Sequence, residues 1–155
     1  FTINDNTLIN ILKKNNVDSN DIELILQHKN EEKKYVDEIL KNYSVTDVIP
    51  SFSKEDFKIN TPNLALENIF YDKKIKYDFD SYNKHLSATI EYAKNHFNYT
   101  LETSEQQTFK NISINILEKK CVIITKNNDP IIHFVIKHPK LVYAIENFTP
   151  LVQEQ

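Results

Sequence analysis

Four side chains between residues 85 and 96 have the types and the spacing to bind something. His85, Thr89, Tyr92 and His96 follow one another at steps of four, three and four positions. At about 100° per residue those steps keep all four within one narrow stripe of a helix. Two imidazoles, a hydroxyl and a phenol supply donors and acceptors for a small ligand, so the chemistry implied is recognition. The pattern suits a ligand-binding groove beside the apolar stripe of Leu86, Ala93 and Phe97; the alternative is a boundary stripe that meets other atoms of the protein. The two imidazoles stand ~16 Å apart by helix rise, so no metal ion is shared between them.

Other reactive types are present without a motif to join them. His133 and His138 are five positions apart, which on one strand places them on opposite faces, and no zinc-type spacing of Cys and His occurs. Cys121 follows Lys119 and Lys120, whose charge favours a thiolate, yet a lone Cys opening an apolar strand reads as a small core residue. The chain has no Gly, and its 19 basic residues are all Lys. Glycine-rich phosphate loops, dinucleotide fingerprints and nucleophile elbows need a backbone approach that a Cβ blocks. Without Arg there is no bidentate fork for phosphate or guanine. No catalytic residue, metal or cofactor is therefore expected, and the chain reads as a non-enzyme.

Charge narrows the partners. The net charge is −3, with 11 Lys against 14 acids up to Asp78 and 8 against 8 beyond it. Neither half carries the basic footprint of nucleic-acid binding, and a membrane surface is disfavoured for the same reason. Ile11, Asn16, Val17, Ile22 and Ile25 partly follow a helix-turn-helix pattern. The second helix of that pattern opens on "DSNDIE", however, whose charge repels phosphate. One cysteine, no signal-like start and no apolar run near ~18 residues suit a cytoplasmic home.

The elements that must position these groups follow from periodicity. Asp5 or Asn6 is suited to cap a first helix carrying Leu8, Ile9, Ile11 and Leu12, and Asn16 suits a left-handed turn. Ser19 then opens a second helix with Ile22, Ile25 and Leu26 on one apolar stripe and Val36, Ile39, Leu40 and Tyr43 on another. The wholly polar "HKNEEKK" between them reads either as the exposed middle of one long helix, the reading we take, or as a break where Asn30 caps a new helix. Residues 44–62 read as a connector, Thr61-Pro62 as the start of a helix over "NLALENIFYD", and Asp78 or Asp80 as the cap of a helix to about Phe97. From Phe109 the period becomes two. "FKNISINILEK", "CVIITK" and "IIHFVIK" predict three antiparallel strands, the last two joined at "NNDP". Pro139 opens a final helix with Leu141, Ala144, Ile145 and Phe148 on its inner face. The expected fold is α+β, with N-terminal helices, a three-stranded antiparallel meander and a C-terminal helix packed on the sheet. The expected organisation is a helical segment over 1–45 and an α+β domain over 46–155.

The stretch "ITKNNDPIIHFVIKHPKLVYAIENF" resembles the tail of effector domains that lie C-terminal to DNA-binding modules in bacterial helix-turn-helix transcription regulators. The resemblance spans residues 121–148. It implies a regulatory domain that senses a small molecule or a protein partner, with DNA contacted by another segment. A chain starting at Phe1 without Met is expected to be a piece of such a larger regulator. The alternative is a protein-protein interaction module of phage or host-interaction origin acting through its N-terminal helices. Those helices carry interrupted apolar stripes, so a homodimer through residues 7–43 is also expected.

Overall fold

The computed structural model describes residues 2–59, 63–64, 75–104, 111–127 and 131–148. Asn16 sits in the left-handed region at φ 56°, where its short amide side chain is better tolerated than a bulky one. It separates helix α1 (Asp5–Lys14) from α2 (Ser19–Asn42), which is one continuous helix of 24 residues. The caps fall one residue before the expected ones. Asn4 accepts from the Asn6 N–H, and Asp18 accepts from the Asp21 N–H, each at 2.9 Å.

Residues 44–62 are more than a connector. They hold strand β1 (Val45–Pro50) and helix α3 (Lys54–Ile59). Pro50 hides the strand from a reading by propensity, but it stands where β1 has outrun one neighbour, so its missing N–H costs no bond there. The helix expected over "NLALENIFYD" is also corrected in its described part. Asn63–Leu64 forms a short strand, β2, antiparallel to β3 (Ile75–Lys76), while residues 65–72 lie outside the described residues. Helix α4 (Phe79–Lys94) follows, capped by Asp78, which accepts from the Ser81 N–H at 2.8 Å. It stops three residues short of Phe97. The Asn95 side chain donates to the Glu91 carbonyl at 3.0 Å and closes the last turn, leaving Phe97 97% exposed instead of in the core.

Contacts divide the chain into two units, residues 1–39 with 54–95, and residues 40–53 with 96–155. That division differs from a break at residue 45, because aromatic packing gathers α3 and α4 into the first unit. The ring of Phe57 meets Phe79 edge-on at 5.3 Å and lies 5.6 Å from Tyr82. Leu8, Ile11, Leu12, Ile25 and Ile75 are buried in the same unit. The Asn15 amide bonds both the N–H and the carbonyl of Lys76, at 3.0 and 3.1 Å, and so fixes the α1 end to β3.

The second unit is built on a five-stranded mixed sheet, which corrects the expected three-stranded one. Strands β4 (Tyr99–Ser104), β1, β5 (Ile112–Leu117), β6 (Cys121–Lys126) and β7 (Ile132–Ile136) lie in that order, with β4 parallel to β1 and the other pairs antiparallel. The "NNDP" turn falls partly on residues 128–130, outside the described residues. One face of the sheet carries Ile114, Ile116, Val122, Ile124 and Ile136, and helix α5 (Pro139–Phe148) packs on it through Val142 and Ile145. Leu141, expected inside, is exposed. Val142 takes its place because the three-residue step to Ile145 matches the helical period.

Candidate functional site

Three of the four residues of the predicted groove lie on one helix. His85, Thr89 and Tyr92 lie on α4 in the first unit, whereas His96 lies beyond the helix in the second. His85 Nδ1 is hydrogen-bonded to the Tyr77 hydroxyl, and its Nε2 lies 3.2 Å from Thr2 Oγ1. Thr2 Oγ1 meets Thr89 Oγ1 at 2.6 Å, and the Thr89 hydroxyl donates to the His85 carbonyl at 3.0 Å. A neutral imidazole satisfies every member. Tyr77 donates to Nδ1, Nε2–H donates to Thr2, Thr2 donates to Thr89, and Thr89 donates to the carbonyl. Burial, with the charge of Lys29 adding to it, lowers the His85 pKa to about 4. Burial pushes the Tyr77 phenol up as well. The Tyr92 hydroxyl donates to Asp37 at 2.6 Å, and burial together with that carboxylate pushes its pKa up. These polar atoms are thus occupied within their own unit.

A second polar cluster sits on the sheet at Asp47 of the inner strand β1. Its two carboxylate oxygens accept from the Tyr99 hydroxyl on β4 at 2.6 Å and from the Asn115 amide on β5 at 2.8 Å. Burial raises its pKa, opposed by those two hydrogen bonds. Asp47 stands directly across from Asn115 and two residues along from the position opposite Tyr99, so all three share one face. A one-residue slip of either neighbour would break the set. The cluster therefore holds the register of the three strands.

A concave surface of the second unit is lined by polar and charged groups. The end of α2, its link to β1, Asn98 and the β5–β6 turn form a cleft of about 420 Å³ lined by Lys41, Asn42, Tyr43, Ser44, Asn98, Glu118, Lys119 and Lys120. The volume falls within the range of small-molecule sites, ~300–1,000 Å³. Its walls are fixed by backbone bonds. The Asn98 amide donates to the Leu40 carbonyl at 2.8 Å and so ties off the end of α2. The Val45 N–H donates to the Asn98 carbonyl at 2.8 Å, and the Glu118 N–H donates to the Ser44 carbonyl at 3.0 Å. Lys119 adopts the left-handed region at φ 57° in the turn, and its N–H donates to the Glu146 carboxylate of α5 at 2.6 Å.

The electrostatics favour an anion. Three ammonium groups line the cleft against one carboxylate. Lys119 pairs with Glu118 at 2.9 Å, which lowers the Glu118 pKa and raises that of Lys119. The Lys120 ammonium stands 5.5 Å from the centre of the Tyr43 ring, a cation–π contact that orders it. The C-terminal dipole of α2 subtracts roughly half a charge, leaving the site positive. The arrangement can bind and orient an anion.

Sequence reasoning passes over this cleft. The adjacent Lys119 and Lys120 stand out in the sequence only as neighbours of Cys121, and Lys41 lies 78 positions earlier. The legible signal is a dilysine in a tight turn between two strands. What it faces depends on the pairing of β1 with β5, which has no local signature. No protein-family model matches this chain, nor does any curated protein or solved structure.

Proposed function

We propose that this chain is a non-enzymatic regulatory domain that senses a small anionic molecule in the lysine cleft of its second unit. The carrying observation is the concentration of Lys41, Lys119 and Lys120 around one open cavity in a chain of net negative charge. Supporting it, the walls come from three separate segments, the end of α2 with its link to β1, the Asn98 turn and the β5–β6 turn. An anion bridging Lys41 and Lys120 would tie the end of α2 to the sheet, and α2 runs on into the first unit. Occupancy of the cleft would thereby bias the long helix, which is how a sensor reports. The reading agrees with the resemblance of residues 121–148 to effector domains of bacterial transcription regulators. DNA contact is assigned to no part of this chain.

Calorimetric titration with inorganic pyrophosphate and with succinate, at low and at moderate salt, tests the reading. Binding that weakens with salt and is abolished when Lys41, Lys119 and Lys120 are all changed to Gln supports it. Equal heats from the wild type and the triple variant contradict it. A second reading, recognition of a partner helix, is favoured by Leu24, Tyr35 and Ile39, which are exposed on one side of α2. Glu31 and Glu32 interrupt that side, so it ranks behind the cleft.

A further inference from the structure

Strand β7 is the outer strand of the sheet, and among the described residues nothing pairs with its free edge. Proteins usually blunt such an edge with Lys, Pro or a bulge. Residues 132–136 read Ile-His-Phe-Val-Ile and carry none of these. We propose that two copies of this chain pair antiparallel through β7, about a two-fold axis at Phe134.

The segment is self-complementary. With Phe134 on the axis, Ile132 lies opposite Ile136 of the second copy, His133 opposite Val135, and Phe134 opposite itself. Ile132, Phe134 and Ile136 share the face on which Ile124 and Val122 already pack, so the apolar layer continues across the axis. The nearest full charge, Lys137, falls opposite Ile131 of the other copy, and no like charges are opposed. This apolar layer is open at the edge of the sheet, where Phe134 is 56% and Ile132 38% exposed, so the pairing covers apolar side chains as well as the unpaired backbone. This pairing is independent of whether the lysine cleft binds an anion.

Sedimentation of the full chain over a range of concentrations, with a cross-linking pair, tests the proposal. The wild type is expected to shift from monomer to dimer as concentration rises. Phe134→Lys, which opposes two cations across the axis, is expected to weaken the dimer at least tenfold without changing the circular dichroism. In a Cys121→Ser background, Phe134→Cys is expected to form an intermolecular disulfide on mild oxidation, because residues paired on the axis lie ~4.5–5.5 Å apart. Val135→Cys is expected not to, since its copies stand roughly 7–8 Å apart on the diagonal. Should Phe134→Lys fail to fold, the cross-linking contrast alone decides. A wild type that stays monomeric overturns the pairing, as do equal cross-linking of the two cysteine variants and a dimer lost on Tyr35→Ala but not on Phe134→Lys.

Discussion

Acidification should destabilise the first unit through His85, and the size of the effect follows from the geometry. The imidazole is locked neutral by a chain of hydrogen bonds running from Tyr77 through Thr2 and Thr89 back to its own carbonyl. Its pKa is lowered from 6.5 to about 4. The unfolded chain therefore takes up a proton that the folded chain refuses. The stability held in this site is complete above pH 6.5, is lost as pH falls from there towards 4, and is constant below. At about 1.4 kcal/mol per pKa unit the loss approaches roughly 3 kcal/mol, a large part of the ~5–15 kcal/mol that holds a domain. His85→Gln keeps one acceptor for Tyr77 and one donor for Thr2 but cannot titrate. Urea unfolding of both proteins by circular dichroism, from about pH 7.5 to about pH 4.5, isolates the effect, because the other ionisable groups are common to both. The wild type should lose stability relative to His85→Gln by about 2–3 kcal/mol across that span, within ~15% extrapolation error. Parallel stability curves would refute the locked neutral imidazole. Asp78, held down to about 2 by Lys14, loses its contribution only as pH falls from 3.8 towards 2, below this window.

Four further outcomes follow from the packing and the cleft. Asp47→Ala leaves the Tyr99 hydroxyl and the Asn115 amide without their acceptor and should cost about 2–4 kcal/mol in urea unfolding. Asp47→Asn should be neutral or stabilising near neutral pH. Because burial raises the Asp47 pKa, the wild-type carboxyl loses stability as pH rises through its folded value, so the advantage of Asp47→Asn over the wild type should grow across that range. Leu12→Ala, at a fully buried position, should cost roughly 2–5 kcal/mol by thermal melting, whereas Phe97→Ala should stay within ~0.5 kcal/mol. Lys120→Gln should weaken anion binding about two- to fivefold by calorimetry, the worth of one exposed charge pair.

Local chemistry makes the helices legible. The left-handed Asn16, the continuous α2 and the Asp78 cap each follow from side chains within a few residues of the feature they make. Strands β5, β6 and β7 are legible from their period of two. Strand β1 is not, because Asp47 and Pro50 break both the apolar run and the propensity. Its partners β4 and β5 lie far along the chain. The clue is Asp47 itself, flanked two residues on each side by Val45 and Ile49, an acid among apolar neighbours that needs partners. The groove predicted on α4 shows how a periodic stripe can be used internally. His85, Thr89 and Tyr92 do share a helix, but Thr2 and Asp37 arrive from elsewhere in the chain to meet them. The lysine cleft is the least legible feature, since its three cations come from two elements brought together by the sheet.

The central claim, that the cleft takes up an anion, is tested most directly by following backbone amide resonances during titration with inorganic pyrophosphate. Shifts confined to the cleft walls at Asn42–Ser44, Asn98 and Glu118–Lys120, saturating with one affinity and lost when the three lysines are changed to Gln, are the result predicted. Saturating shifts centred on other residues, or none in the cleft at concentrations that saturate comparable sites, would contradict it.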